Sequence, residues 1–279
     1  MDAREVRSLA EGLLGVALAA GRVQMAHFAR GVSVETKPDR SPVTVADRES
    51  EEQILKGLAQ VAPGVAVIAE EQRAAGGTPS VAGTFFLVDP LDGTKGFIKG
   101  RSEFTINIAL VEERRPVFGL VYAPALADFS VTLGPELAAH ARLSPLANVA
   151  RLADCGLRPI ATRTPNPNAL RALTSQSHLN DATRRVLDSY GVVERRALAS
   201  SLKFVLIARG EADLYVRVAP TSEWDTAAGH AVLAAAGGTV TSLDGQPLLY
   251  GHAARGFENC AFIAWGKGPL ARREVPPSP

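Results

Sequence analysis

A run of four apolar residues, Phe85-Phe86-Leu87-Val88, stops at Asp89-Pro90 and is followed by Leu91-Asp92-Gly93-Thr94-Lys95. The run has the length and composition of a buried strand, and proline cannot donate to a ladder, so the strand is predicted to end at Asp89. Any fold of this chain must therefore accommodate two carboxylates just past a buried strand end. Asp89 and Asp92, three residues apart around a turn, can aim their oxygens at one point. Their repulsion is costly unless a cation fills that point. Gly93-Thr94-Lys95 then offers free backbone N–H groups at a predicted helix start, which suits an anion. The stretch reads as a metal beside a phosphate. Taken alone, Asp-Pro and Asp-Gly are also ordinary turn chemistry, and the rest of the chain decides between the two.

At 279 residues the chain can bury a substantial core as one large domain or two closely coupled ones. The boundary is expected near the proline-rich run Thr162-Arg163-Thr164-Pro165-Asn166-Pro167, giving an α+β part over 1–164 and an α/β part over 165–279. Thirty basic and 29 acidic residues leave a net charge of +1, which argues against nucleic acid as a partner and leaves a local pocket for a small charged substrate. Cys155 and Cys260 have neither metal-ligand spacing nor a disulfide framework, which suits a reducing compartment. No run of about 18 consecutive apolar residues reads as a membrane span. The apolar stretch near Leu13 follows Asp2, Glu5 and Glu11 and makes a poor signal peptide, so the expected location is cytoplasmic.

Along the chain, residues 2 to about 29 fit one amphipathic helix, and a polar loop over 37–42 leads through Val43-Thr44-Val45-Ala46-Asp47 into a second, which Asp47 can cap. Val65-Ala66-Val67-Ile68-Ala69 is a short strand running into Glu70-Glu71. Residues 104–111 and 116–122 pattern as a hairpin, while 123–161 carry no periodicity strong enough to assign. The second half alternates a strand at 169–174, helices at 181–190 and 200–208, and a strand at 213–217. A helix opened by Asp225 and stopped by Gly237-Gly238 follows, then strands near 239–241 and 261–265 and a proline-rich tail.

Four acids thus stand at element ends: Glu70, Asp89, Asp92 and Asp225. An all-oxygen set of this size suits Mg²⁺ with substrate phosphate and water completing its shell, whereas the five histidines and two cysteines show no zinc spacing. Asp225 alone would read as a helix cap.

In order and approximate spacing, V-T-V-A-D (43–47), I-A-E-E (68–71), D-P-L-D-G-T (89–94) and W-D-T-A-A-G-H (224–230) resemble the inositol-monophosphatase-like superfamily of lithium-sensitive, Mg²⁺-dependent phosphatases. The resemblance covers about residues 40 to 265. With S-S-L-K-F and E-A-D-L-Y-x-R added, the chain looks most like the bacterial 3′(2′),5′-bisphosphate nucleotidases, which remove the 3′-phosphate from adenosine 3′,5′-bisphosphate. The resemblance implies a layered αβαβα sandwich of α/β class and two or three Mg²⁺ per site. It implies that Glu70, Asp89 and the Leu91 carbonyl match the ligands of one metal, and Asp89, Asp92 and Asp225 those of a second. Glu70 and Thr94 match the pair that orients and deprotonates water, and Asp47 the acid supporting Thr94. Gly93 and Thr94 match the phosphate-binding helix start. Ser200, Lys203 and Arg217 match positions that contact the nucleotide and its second, non-scissile phosphate, His178 a nucleotide-contacting histidine, and Asp225 a substrate contact as well as a metal ligand. Inhibition by Li⁺ and a place in sulfur metabolism are implied as well.

Departures fall away from the metal set: Gly96 where the nucleotidases usually carry glutamate, Gln176 where arginine is common, Ala199 and Ala219 where glycine is common, and no glycine-rich pattern over 128–148. The sequence reading is therefore a phosphatase for a small phosphorylated molecule, as a monomer or homodimer. Its alternatives are an inositol or sugar monophosphatase, a histidinol-phosphatase, or a non-catalytic phosphate-binding module. The water-activating pair argues against the last.

Overall fold

In a computed structural model the described residues are 1–31, 33–37, 41–77, 83–177 and 179–272. Part of the polar loop predicted at 37–42, His178 and much of the proline-rich tail lie outside them.

Asp2 caps α1 (Ala3–Arg30) in a capping box with Glu5, and the helix buries Val6, Leu9, Ala10, Leu13, Leu14, Ala17 and Leu18 along one side. By length and composition α1 could cross a membrane, but half of its most apolar stretch is buried on the protein's own core. A two-stranded hairpin follows, β1 (Val34–Thr36) antiparallel to β2 (Pro42–Thr44), which the sequence reading did not assign. Thr44 caps α2 (Val45–Val61), and the predicted cap Asp47 instead occupies the third helical position, where its carboxylate reaches back to the Thr44 N–H. The box geometry explains the shift, because Thr44 has the extended backbone a cap needs.

β3 (Ala66–Ala69), α3 (Glu70–Ala74), β4 (Thr84–Asp92) and α4 (Thr94–Ile98) come next. β4 does not end at Pro90 as predicted. It runs on to Asp92 through a bulge, since Asp89 pairs with Asn107 and Asp92 with Thr105, leaving one extra residue on the β4 side. A bulge tolerates proline because the residue there makes no ladder bond. β5 (Thr105–Glu112) and β6 (Arg115–Ala123) form the expected hairpin. Residues 123–161, left unassigned from sequence, contain β7 (Asp128–Gly134), β8 (Leu137–Arg142) and β9 (Arg158–Ile160). Phe129, Val131 and Leu133 do alternate there, but β8 is alanine-rich and β9 has three residues, so the periodic signal was diluted.

The second half contributes β10 (Leu170–Ser175), α5 (Asp181–Ser189), β11 (Val192–Leu198), α6 (Leu202–Ala208), β12 (Leu214–Arg217), α7 (Ala227–Ala235), β13 (Thr239–Ser242) and β14 (Phe262–Trp265). β11 escaped prediction because its central residues Glu194, Arg195 and Arg196 are exposed on a sheet edge, where charge is favoured over an apolar pattern. Asp225 does not open α7. It closes a 3₁₀ turn, Glu223–Asp225, capped by Ser222, and the helix proper starts at Ala227.

Strands β3 to β9 form a seven-stranded sheet in sequence order, antiparallel except for the parallel β3/β4 pair. The other sheet has order β11-β10-β12-β14-β13. Alternation along β4 sends Phe86 and Val88 into a cluster with α1 and α2, and Phe85 and Leu87 into a second cluster with α6 and α7. That second cluster also takes the inner face of the five-stranded sheet, Tyr215, Phe262 and Ala264, while Leu214, Ile263 and Trp265 face outward to Leu187 of α5. The layers are therefore helix, sheet, helix, sheet, helix, the αβαβα order expected. α7 sits directly on β6, where a Cβ on Gly119 would lie 2.2 Å from the Ala228 carbonyl oxygen, so the small residues of A-A-G-H set the interlayer distance.

Candidate active site

The β4 bulge opens into a cavity of about 370 Å³ lined from both halves of the chain, by Glu70, Asp92 and Thr94 on one side and Ser200, Lys203, Arg217 and Asp225 on the other. The bulge is held from beneath: the Leu91 N–H donates to Asp89 Oδ1 at 2.9 Å, and buried Gln24 donates to the Pro90 carbonyl at 2.6 Å. Asp89 thereby points to the site from a fixed turn. Asp92 accepts from Ser201 Oγ at 3.3 Å, and the same hydroxyl is within 2.6 Å of the Asp225 carbonyl, linking the halves. Asp225 Oδ2 accepts from the Ser222 N–H at 3.0 Å.

Burial raises the carboxyls of Asp89 and Asp225 well above the usual range, and mutual repulsion within the set, which includes Glu70 and Asp92, pushes the same way. Burial also raises Asp92, opposed by the nearby Lys203 ammonium. Acids so placed bind either protons or a cation. Among the described residues no three His, Cys, Asp or Glu side chains converge on one coordination point. Glu70 instead accepts from Lys37 Nζ at 2.6 Å, and Lys37 also contacts Glu71. Burial works against the Lys37 charge, but the two glutamates outweigh it and raise its pKa. The donor set nonetheless fits a hard divalent ion: it is entirely oxygen, and its electrostatic demand is for positive charge.

Thr94 Oγ1 lies 3.0 Å from Asp47 Oδ1 and 3.1 Å from the Leu91 carbonyl, while Thr44 holds the other Asp47 oxygen. Both neighbours of the Thr94 hydroxyl are acceptors, so its proton is committed to them and its oxygen is left to accept. Lys203 and Arg217 line the cavity and both also bond backbone: Lys203 Nζ donates to the Leu198 and Ser200 carbonyls, and Arg217 gives two of its five N–H donors to the Ala219 and Pro220 carbonyls at 2.9 and 2.8 Å. Burial lowers the Lys203 ammonium to about 8, against the pull of Asp92. Ser200 has φ +54°, and its buried hydroxyl has no partner among the described residues.

The structure thus brings Asp47, Glu70, Asp92, Thr94, Ser200, Lys203, Arg217 and Asp225 around one pocket, with Gly93 lining it and Asp89 and Leu91 in the bulge beneath. His178 lies outside the described residues. Sequence reasoning missed Lys37, Ser201, Asn107 and Arg101. Asn107 sits opposite Asp89 in an apolar strand and its side-chain amide reaches Asp92, Ser201 adjoins the matched Ser200, and Lys37 precedes a loop, so only their placement distinguishes them.

A sandwich of this layering, with acids at a strand bulge and a hydroxyl–carboxylate pair at the next helix, defines a phosphatase-type site. Residues 5–264 match the Inositol monophosphatase family, and the chain belongs to that family. Among curated relatives, the 3′(2′),5′-bisphosphate nucleotidase CysQ of Escherichia coli K12 is 40% identical over 220 residues, covering 78% of this chain and 83% of that protein. The histidinol-phosphatase of Streptomyces coelicolor is 33% identical over 230 residues, covering 77% and 79%. Among solved structures, CysQ from Bacteroides thetaiotaomicron aligns with a TM-score of 0.77 at 32% identity over 94% of this chain and 98% of that one.

Proposed function

We propose that the chain is a Mg²⁺-dependent phosphatase that hydrolyses the 3′-phosphate of adenosine 3′,5′-bisphosphate to AMP and phosphate. The observation that carries it is the Asp47–Thr94 hydrogen bond beside a ring of acids in a pocket whose outer wall is cationic. The relatives at about 40% identity named as bisphosphate nucleotidases support the substrate.

Glu70, Asp89, Asp92, Asp225 and the Leu91 carbonyl would hold the cations. Bound there, Mg²⁺ supplies charge neutralisation for the phosphoryl oxygens and a more acidic water. The residues do the remainder. Asp47 accepts the Thr94 proton, so Thr94 Oγ1 is oriented to accept from the attacking water. Glu70, once free of Lys37, is the carboxylate that takes the proton. The first amides of α4, at Thr94 and Lys95, stand ahead of its first turn bond, Gly96 N–H to Gly93 O, and are placed for phosphate oxygens. Ser200, whose hydroxyl has no partner among the described residues, and the Lys203 and Arg217 charges form the wall for the rest of the substrate. Phosphoryl transfer asks mainly for such positioning and charge stabilisation.

Further parts of this reading are the division at 164/165, a cytoplasmic location in a monomer or homodimer, two or three Mg²⁺ per site, and contact of His178 with the nucleotide. The test is phosphate release from adenosine 3′,5′-bisphosphate, inositol 1-phosphate and histidinol phosphate with Mg²⁺ and with chelator. The bisphosphate should have the highest kcat/KM and chelator should stop release. A higher kcat/KM on either monophosphate overturns the substrate assignment.

A further inference from the structure

Three cations occupy one short stretch at the pocket mouth: Lys95, Lys99 and Arg101 all line it. None of the ion pairs among the described residues includes them. On the opposite wall, Lys203 Nζ donates to two carbonyls, and Arg217 gives two of its five N–H donors to carbonyls.

The backbone under Arg101 is rigidly specified. α4 ends in a paired-bond C-terminal motif: the Gly100 N–H donates to the Phe97 carbonyl at 2.9 Å and the Arg101 N–H to the Gly96 carbonyl at 3.0 Å. Gly100 takes φ +71°, and a Cβ there would meet no atom, so conformation rather than space calls for glycine. From this turn the side chain crosses to the other half of the chain, where Arg101 Nη1 donates to Gln176 Oε1 at 2.5 Å. Gln176 follows the end of β10, and its amide is a neutral partner. It orients the guanidinium without neutralising it. A phosphate oxygen is the stronger acceptor, since charge-assisted contacts to guanidinium are short and can be bidentate.

The acids occupy the pocket floor and these free cations its mouth. A substrate with one phosphate at the floor has no use for the mouth. One with a second phosphate at its other end does.

We propose that Arg101, with Lys99 beside it, adds an anion contact for the second, non-scissile phosphate to those offered by Lys203 and Arg217, and that Gln176 is the positioning residue holding the guanidinium across the mouth. This rests on the bisphosphate reading above.

The experiment measures kcat and KM on adenosine 3′,5′-bisphosphate and on adenosine 3′-monophosphate for the Mg²⁺-loaded full chain, Arg101→Ala, Arg101→Lys and Lys99→Ala. In Arg101→Ala the bisphosphate-to-monophosphate ratio of kcat/KM should fall roughly tenfold to a hundredfold, carried by KM, with a smaller fall in Arg101→Lys and Lys99→Ala. The rise of the bisphosphate KM with added KCl should also be shallower in Arg101→Ala. A structural role would move neither the ratio nor the salt slope. If the unaltered protein prefers the bisphosphate and Arg101→Ala keeps that preference, the added contact is overturned and the function stands. If the unaltered protein treats both substrates alike, the bisphosphate reading falls and takes the contact with it. Arg101 is exposed, so folding is not at stake, and Arg101→Gln repeats the test should the alanine variant fail to fold.

Discussion

The floor and the mouth of the pocket are built on opposite plans. The floor gathers most of its groups from short contiguous runs, 70–71 and 89–94, each at the end of an apolar strand, and joins them through local bonds such as Leu91 N–H to Asp89. The mouth draws on 95–101, 175–177, 199–203 and 215–217, which meet only across the two sheets. Chemistry that must be atomically placed is carried by rigid turns. Recognition is divided among elements brought together by tertiary packing, and it can change without disturbing the floor.

The hardest way to break the comparison is at its buried centre. Asp89→Asn, nearly isosteric, should lower kcat by roughly a thousandfold, because several kcal/mol of cation-mediated charge stabilisation depend on that carboxylate. Thermal unfolding in chelator should be unchanged or later, since one repelling charge is gone. Phosphate release at the original rate would refute the assignment of the floor.

Thr94→Ala should follow, with kcat down about a hundredfold or more and KM little moved, the range expected for losing a proton-transfer partner. Asp47→Asn should give a smaller loss, because its amide can still be held by Thr44 but no longer draws the hydroxyl proton in the same way. Kinetic assays on both variants check this, and a larger loss for Asp47→Asn would invert the proposed order of action.

The mouth predicts a different signature. Lys203→Met should destabilise by about 1–3 kcal/mol, seen in denaturant unfolding, because the Leu198 and Ser200 carbonyls lose their buried donor. Full stability with a large loss in substrate binding would mean that Lys203 serves the ligand and the backbone bonds matter little.

The smallest shift concerns pH. Burial pushes Glu71, itself a partner of Lys37, and Glu51, which accepts from the Glu71 N–H, up to about 7 from the ordinary 4.5. Between those values the unfolded chain has released protons that the folded, metal-free protein keeps, so stability present at low pH is lost as pH rises through about 7. Thermal unfolding in chelator should come earlier at about pH 8 than at about pH 5. A flat or rising profile would show these glutamates to be ionised within the fold.

Sequence by itself determined α1, whose burial is one-sided and whose capping box marks its start, and β4, β5 and β6, whose apolar runs are buried on both faces, because a pattern sustained over many residues outweighs local accidents. It also singled out Glu70, Asp89, Asp92, Thr94 and Asp225 at element ends, although only tertiary packing brings Asp225 of the second half to the same pocket as the others. What it could not supply was the path of β4 past Pro90, the true caps Thr44 and Ser222, the edge strand β11 and the alanine-rich β8. Each depends on a partner distant in the chain: a bulge needs the strand opposite, and an edge is an edge only once the sheet is ordered. The same holds for Lys37 on Glu70, Ser201 on Asp92 and Arg101 on Gln176, contacts separated by 33, 109 and 75 residues. A polar side chain carries no mark of what it will face, and only the packing of two sheets around α6 and α7 decided that these would meet at one pocket.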